Sequence, residues 1–184
     1  MNRSKAGTAQ GFTLIELMLA VAVLGILLAI ALPAVSGAYG EADSKRILNA
    51  LSTSISQARG GAINYDDDAI LCTSNDGVSC SSSVEWHYGW IVGIDLDHDN
   101  NLDAADSLIE HIEPFDVPAH VFSTSGRTRL QFQPYGSNGG SNVTFTVCDR
   151  RGSPGAAAYA LNNYGQFHEV KAKDDRVAQA CAGL

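Results

Sequence analysis

Basic residues are scarce in this 184-residue chain: 12 Lys and Arg stand against 20 Asp and Glu, a formal net charge of −8. That balance argues against broad electrostatic binding to nucleic acid and leaves room only for a local basic patch. Charged residues are few altogether, at 17%. There is no CxxC pair and no clustered Cys/His spacing, so a zinc site is not indicated. The five histidines, His87, His98, His111, His120 and His168, are scattered with no nucleophile motif near them, and the chain is expected not to be an enzyme. Beyond residue 61 no long helical period appears, and no internal repeat or disordered linker stands out.

One long hydrophobic run is present. Residues 11–33 read GFTLIELMLAVAVLGILLAIALP, preceded by a short leader carrying Arg3 and Lys5. The stretch 12–32 has the length of a bilayer-spanning helix. A single acid, Glu16, lies just inside its start, and an ionisable residue in a membrane-length helix is costly enough to point to function. A secretory signal would have a shorter core and end in a small-residue cleavage site, for which 31–34 (Ala-Leu-Pro-Ala) is a poor substitute. An ordinary anchor has no use for an early acid.

Gly11-Phe12-Thr13-Leu14-Ile15-Glu16 followed by the apolar run resembles the class III signal of type IV pilins and type II secretion pseudopilins. The resemblance implies cleavage between Gly11 and Phe12 by a prepilin peptidase and methylation of the new amine on Phe12. It makes Glu16 the assembly charge, neutralising the terminal amine of a neighbouring subunit. It further implies a single-pass inner-membrane protein with a periplasmic domain, later built into a pilus or pseudopilus through contacts of the N-terminal helix with other pilins or pseudopilins. Loss of the leader would take the net charge from −8 to −10, since Arg3 and Lys5 leave with it.

After Pro33 the pattern turns amphipathic. Ile47, Leu51 and Ile55 recur every four residues, with Leu48 and Ala58 beside them. This predicts that the same helix continues to about Arg59 and stops at Gly60-Gly61, with a kink at Pro33. Short β-rich runs follow at 69–73, 88–95, 108–113, 119–123, 128–133, 143–148, 157–161 and 167–171. Asn75-Asp76-Gly77, Ser137-Asn138-Gly139-Gly140 and Gly152-Ser153-Pro154-Gly155 supply turns between them. The expected fold is α+β: a long N-terminal transmembrane and amphipathic helix packed on a C-terminal antiparallel β domain. The expected parts are a leader at 1–11, a transmembrane helix at 12–33, its amphipathic continuation at 34–61 and a β-rich domain at 62–184.

Two β-region blocks refine the resemblance. Trp86-His87-Tyr88-Gly89-Trp90-Ile91-Val92 and Leu130-Gln131-Phe132-Gln133-Pro134-Tyr135-Gly136, the latter followed by Thr144-Phe145-Thr146-Val147-Cys148, are similar to the signatures of H-type pseudopilins and their minor-pilin relatives, the GspH/FimT family. The implied role is a structural subunit in fibre assembly or a tip or priming complex. A pseudopilin serving exoprotein export and a DNA-binding minor pilin of natural transformation are the alternatives.

In the oxidising compartment so implied, Cys72, Cys80, Cys148 and Cys181 read as two disulfides. Four cysteines allow three pairings. Proximity favours Cys72–Cys80, leaving Cys148–Cys181 to tie the tail to a strand.

Two polar segments remain. In 95–106, Asp95, Asp97, Asp99, Asp103 and Asp106 occupy positions 1, 3, 5, 9 and 12, with Asn101 at position 7, which is the ligand spacing of an EF-hand-like calcium loop. Asn100 stands where glycine is usual, and Asp106 replaces the bidentate Glu. The competing reading is a solvated hairpin loop with no metal, and no other cofactor is expected. Gly126-Arg127-Thr128-Arg129 matches the GRxR element linked to DNA binding in competence-associated minor pilins. That element follows the late-strand cysteine in the subgroup, whereas here it precedes Cys148, and the equivalent place, Gly165-Gln166-Phe167-His168, lacks both arginines. Arg150 and Arg151 add a second basic spot, yet the acidic balance argues against DNA as a partner.

Overall fold

A computed structural model describes residues 11–184, without the side chains of residues 32–34. The leader residues 1–10 lie outside the described residues, as does the side chain of Pro33 at the expected kink. The chain divides into two units, Met1–Ala38 and Tyr39–Leu184.

Helix α1 spans Leu14–Tyr65. In the first unit its N-terminal part is apolar and long enough to cross a membrane, and its most apolar stretch is not buried by the rest of the protein. In the second unit Ser44, Ile47, Leu48, Leu51, Ser54, Ile55, Ala58 and Ala62 form one buried stripe at three- and four-residue spacing. This is the amphipathic face expected from the sequence.

The helix does not stop at Gly60-Gly61 but runs on to Tyr65, which moves the expected boundary at 61. Gly61 faces the sheet: a Cβ there would lie 2.6 Å from Ile109 Cδ1. Its glycine permits close packing and terminates nothing. The actual stop is at Asp66, whose φ of 54° is left-handed. Asp67 N–H then reaches back to Ala62 O at 3.2 Å, closing a Schellman-type turn.

Eight strands follow: β1 Ala69–Thr73, β2 Trp90–Ile94, β3 Ser107–Ile112, β4 Ala119–Ser123, β5 Arg129–Phe132, β6 Val143–Asp149, β7 Ala157–Leu161 and β8 Phe167–Val170. All pair antiparallel, in two four-stranded sheets ordered β3-β2-β1-β5 and β4-β6-β7-β8. The buried stripe of α1 shares one core with Leu71, Trp90 and Val92 of the first sheet and Val121, Phe145 and Val147 of the second. Trp86 lies at their junction, edge-on to Phe145 at 5.1 Å. Strands β1 and β2 are buried on both faces, which explains their unbroken apolar runs. Ile70, Cys72 and Ile91 turn away from the helix into a small second core with Leu102.

The C-terminal tail, expected only as a strand-tied extension, contains a short helix, α2 (Asp174–Ala180). Disulfides join Cys72 to Cys80 and Cys148 to Cys181, the latter fastening the end of α2 to β6.

Candidate functional site

At the start of α1 the Thr13 hydroxyl accepts the Glu16 N–H at 3.3 Å. The Glu16 carboxylate in turn accepts the Thr13 N–H at 3.0 Å and the Thr13 hydroxyl at 2.9 Å. This reciprocal pair is a capping box, and it satisfies orphan donors of the first turn. Thr13-x-x-Glu16 is its sequence signal, missed because the acid was read only as an assembly charge. Gly11 and Phe12 precede the helix, with Phe12 90% exposed. From Leu14 to Ile30 the large apolar side chains face outward, and Glu16 is the one charged residue among them.

The loop between β2 and β3 has a different character. Asp95 is only 1% exposed, whereas Asp97 and Asp99 lie at the surface. One carboxylate oxygen from each of these three falls within 4.8 Å of the others. Asp103 and Asp106 are not in that group. Asp106 has both oxygens on the loop's own backbone, from Leu96 N–H and Asp103 N–H, each at 2.9 Å. Asp103 accepts Ala105 N–H at 2.7 Å, and Asn101 donates its N–H to Asp99 at 2.7 Å. His98 and Asn100 are both left-handed, with φ of 59° and 63°. Burial pushes the Asp95 carboxyl above its ordinary range, against the hydrogen bond from Asn100 N–H, and the neighbouring Asp106 adds to the rise.

The four sequence-selected arginines do not form a free patch. Arg127 lies in the turn before β5, and Arg129 is the first residue of that strand. Arg129 donates to the carbonyl of Asn100 on the acidic loop. Arg150 pairs with Asp43 at 2.9 Å. Arg151 grips Asp149 through Nε at 2.9 Å and Nη2 at 2.7 Å. A basic group that the sequence reading missed, Lys171, Lys173 and Arg176, borders a groove of about 330 Å³ over the threonine-rich outer face of β6 and β7. Its signal was the alternation of the two lysines ahead of α2.

Two histidines that are far apart in sequence come together. His87 stacks on His120 with ring centroids 4.5 Å apart, and its Nδ1 lies 3.3 Å from both the Val121 N and O. Burial lowers the His87 pKa, favouring the neutral ring. Its ring neighbours are Tyr88, His120 and Phe122, an arrangement of packed aromatics.

Residues 48–165 match the family described as Type II transport protein GspH, and residues 8–32 match the prokaryotic N-terminal methylation motif. Among solved structures, the chain resembles type IV minor pilin FimU of Pseudomonas aeruginosa strain PAO1 in two crystal forms. The P21 form gives a TM-score of 0.56 at 15% identity over 70% of this chain and 88% of that one. The P65 form gives 0.53 at 15% identity, over 69% and 92%. Identity at this level speaks for the fold, a long N-terminal helix with antiparallel sheets. No curated protein matches the chain. A GspH match over more than half the chain, preceded by the methylation motif and its apolar helix, settles the family: this protein belongs to the GspH family and is a membrane-anchored minor pilin or pseudopilin.

Proposed function

We propose that the chain is cleaved after Gly11, methylated on Phe12, held in the inner membrane by α1 and then drawn into a fibre or its tip complex as a structural subunit without catalytic activity. The observation that carries this reading is the outward-facing apolar surface of α1 from Leu14 to Ile30, interrupted only by Glu16. Such a surface fits lipid first and neighbouring helices afterwards. Away from water, attraction between the Glu16 carboxylate and a neighbour's new amine is several-fold stronger than in water, so it can select register during assembly.

The capping box makes the test sharper. Glu16→Gln keeps the hydrogen bonds to Thr13 and removes the charge, whereas Thr13→Ala weakens the cap and keeps the charge. Both variants should be processed normally. Glu16→Gln should be depleted from sheared fibres and Thr13→Ala should enter them. Normal incorporation of Glu16→Gln would sink the assembly role of the charge. Scoring a deletion strain for twitching, secretion and transformation assigns the subunit to a pilus or to exoprotein export.

DNA capture is not part of this proposal, because Arg129, Arg150 and Arg151 already hold acceptors within the chain. Full-length protein should give no gel shift at low salt. A shift abolished by Arg127→Ala with Arg129→Ala would favour the transformation reading instead.

A further inference from the structure

Asp95 Oδ2 accepts the Asn100 N–H at 3.0 Å, while Asp95 Oδ1 is buried and has no hydrogen-bond partner. A carboxylate oxygen withdrawn from water without a donor is costly, and such a group calls for a partner of positive charge. We propose that the β2–β3 loop binds a divalent cation of the calcium type, with the buried, unpartnered Oδ1 of Asp95 as its anchor and Asp97 and Asp99 as the other carboxylate ligands.

The dimensions fit. Calcium holds oxygen ligands at about 2.3–2.6 Å, so atoms on opposite sides of one ion stand about 5 Å apart. One carboxylate oxygen of each of the three aspartates lies within 4.8 Å of the others. Asp97 and Asp99 each use one oxygen on a backbone N–H, from Asp99 at 3.2 Å and Asn101 at 2.7 Å. A carboxylate with one oxygen fixed in this way is held in place to offer the other to an ion. Asn101, at the seventh position, is placed to supply its carbonyl, and water completes the shell. Asp106 closes the loop as a clasp on Leu96 and Asp103, which fits its short side chain better than bidentate ligation.

The loop is also pinned from inside. Leu102 is buried among Ile70, Cys72 and Ile91, and its carbonyl accepts the Cys80 N–H at 3.0 Å. The ligands are therefore arranged before the ion arrives, so little ordering entropy opposes binding. An all-oxygen set excludes the softer ions that prefer thiolate or imidazole. Three adjacent carboxylates on a loop suit calcium better than magnesium, which keeps most of its waters. Asp95 is also the first residue after β2, so a bound ion would fasten the hairpin at its base.

The full-length protein in detergent, stripped with chelator, is titrated with calcium chloride by calorimetry and followed by thermal melting. One ion per chain should bind, and the melting temperature should rise, because the ligand binds only the folded state. Magnesium at equal concentration should give a smaller rise. Asp95→Asn should weaken calcium binding more than tenfold, and Asp99→Asn should weaken it as well. In chelator Asp95→Asn should melt no lower than the unsubstituted chain, since it loses a buried unpaired charge. That comparison separates a lost ligand from a misfolded domain. No heat and no change in melting at 5 mM calcium would overturn the proposal, as would a calcium response that survives Asp95→Asn.

Discussion

Trp90 donates its indole N–H to Ser54 Oγ at 2.9 Å, and Ser54 donates its own hydroxyl proton to Glu110 at 2.6 Å. The relay links α1 to β2 and β3 through a serine that has no access to solvent. It fixes the rotation of the helix on the sheet, because a turn in either direction would leave a buried donor unpaired. Ser54→Ala should cost about 1–3 kcal/mol, the penalty for an orphaned buried donor. Trp90→Phe removes the donor, so the double variant should lose less than the two singles combined. Thermal melting of all three proteins measures the coupling; simple additivity would contradict the relay.

Two helical glycines should respond in opposite ways to alanine. At Gly61 the added Cβ meets Ile109 Cδ1 at 2.6 Å, the mobile end of a half-exposed side chain that can swing away. Relief of the glycine helix penalty, about 1 kcal/mol, should offset that adjustment and leave Gly61→Ala near neutral. At Gly40 the Cβ meets Asp149 Oδ1 at 2.8 Å, with Arg150 and Arg151 close behind. There it presses on an ion pair held by several hydrogen bonds, so Gly40→Ala should lower the melting temperature clearly.

Acid should act through that same ion pair. Burial pushes the Asp149 carboxyl up, but the hydrogen bonds from Arg151 and Ser44 outweigh it and hold the pKa below the ordinary aspartate range. The stabilisation is therefore complete above the unfolded value, about 3.9, and is lost as pH falls below it toward the folded pKa. Asp149→Asn should cost on the order of 3 kcal/mol at neutral pH, at the low end for a broken buried pair because Arg151 stays partly in water. The gap in melting temperature between the two proteins should narrow below about pH 4. A gap that stayed constant down to pH 2 would show that packing, not charge, holds this corner.

The disulfides should differ in weight. Cys148–Cys181 spans 33 residues and Cys72–Cys80 spans 8. Chain entropy assigns them about 3.7 and 2.5 kcal/mol respectively. Cys148→Ser with Cys181→Ser should therefore lower the melting temperature more than Cys72→Ser with Cys80→Ser. The second pair has a separate consequence: it restrains Cys80, whose backbone N–H holds the Leu102 carbonyl, so loss of the disulfide should loosen that contact and weaken calcium binding to the adjoining loop. Calcium titration of the Cys72→Ser, Cys80→Ser protein checks this.

Local chemistry made much of the chain readable. The apolar run with its single acid announced the membrane segment, since a helix apolar all round belongs either in a bilayer or in the core of a large protein, and this domain is small. Ile47, Leu51 and Ile55 marked the buried stripe through their helical spacing. Short β-rich runs placed all eight strands to within about two residues, with three clusters of turn residues between them. The acids of 95–106 carried their pattern in spacing alone.

Tertiary packing decided the rest, because each remaining feature depends on a partner far along the chain. Gly60-Gly61 carries a stop signal, yet the helix continues, since Ala58 and Ala62 on either side are buried against the sheets. Strand β5 joins β1 although β2, β3 and β4 intervene in sequence, a pairing that no local pattern encodes. Arg129 and Arg150 read as part of a basic cluster until folding gives each an acceptor on another element. Most consequentially, five similar aspartates are equivalent as letters. Only the burial of Asp95 behind β2, with one oxygen left without a donor, distinguishes an anchor from its solvated neighbours.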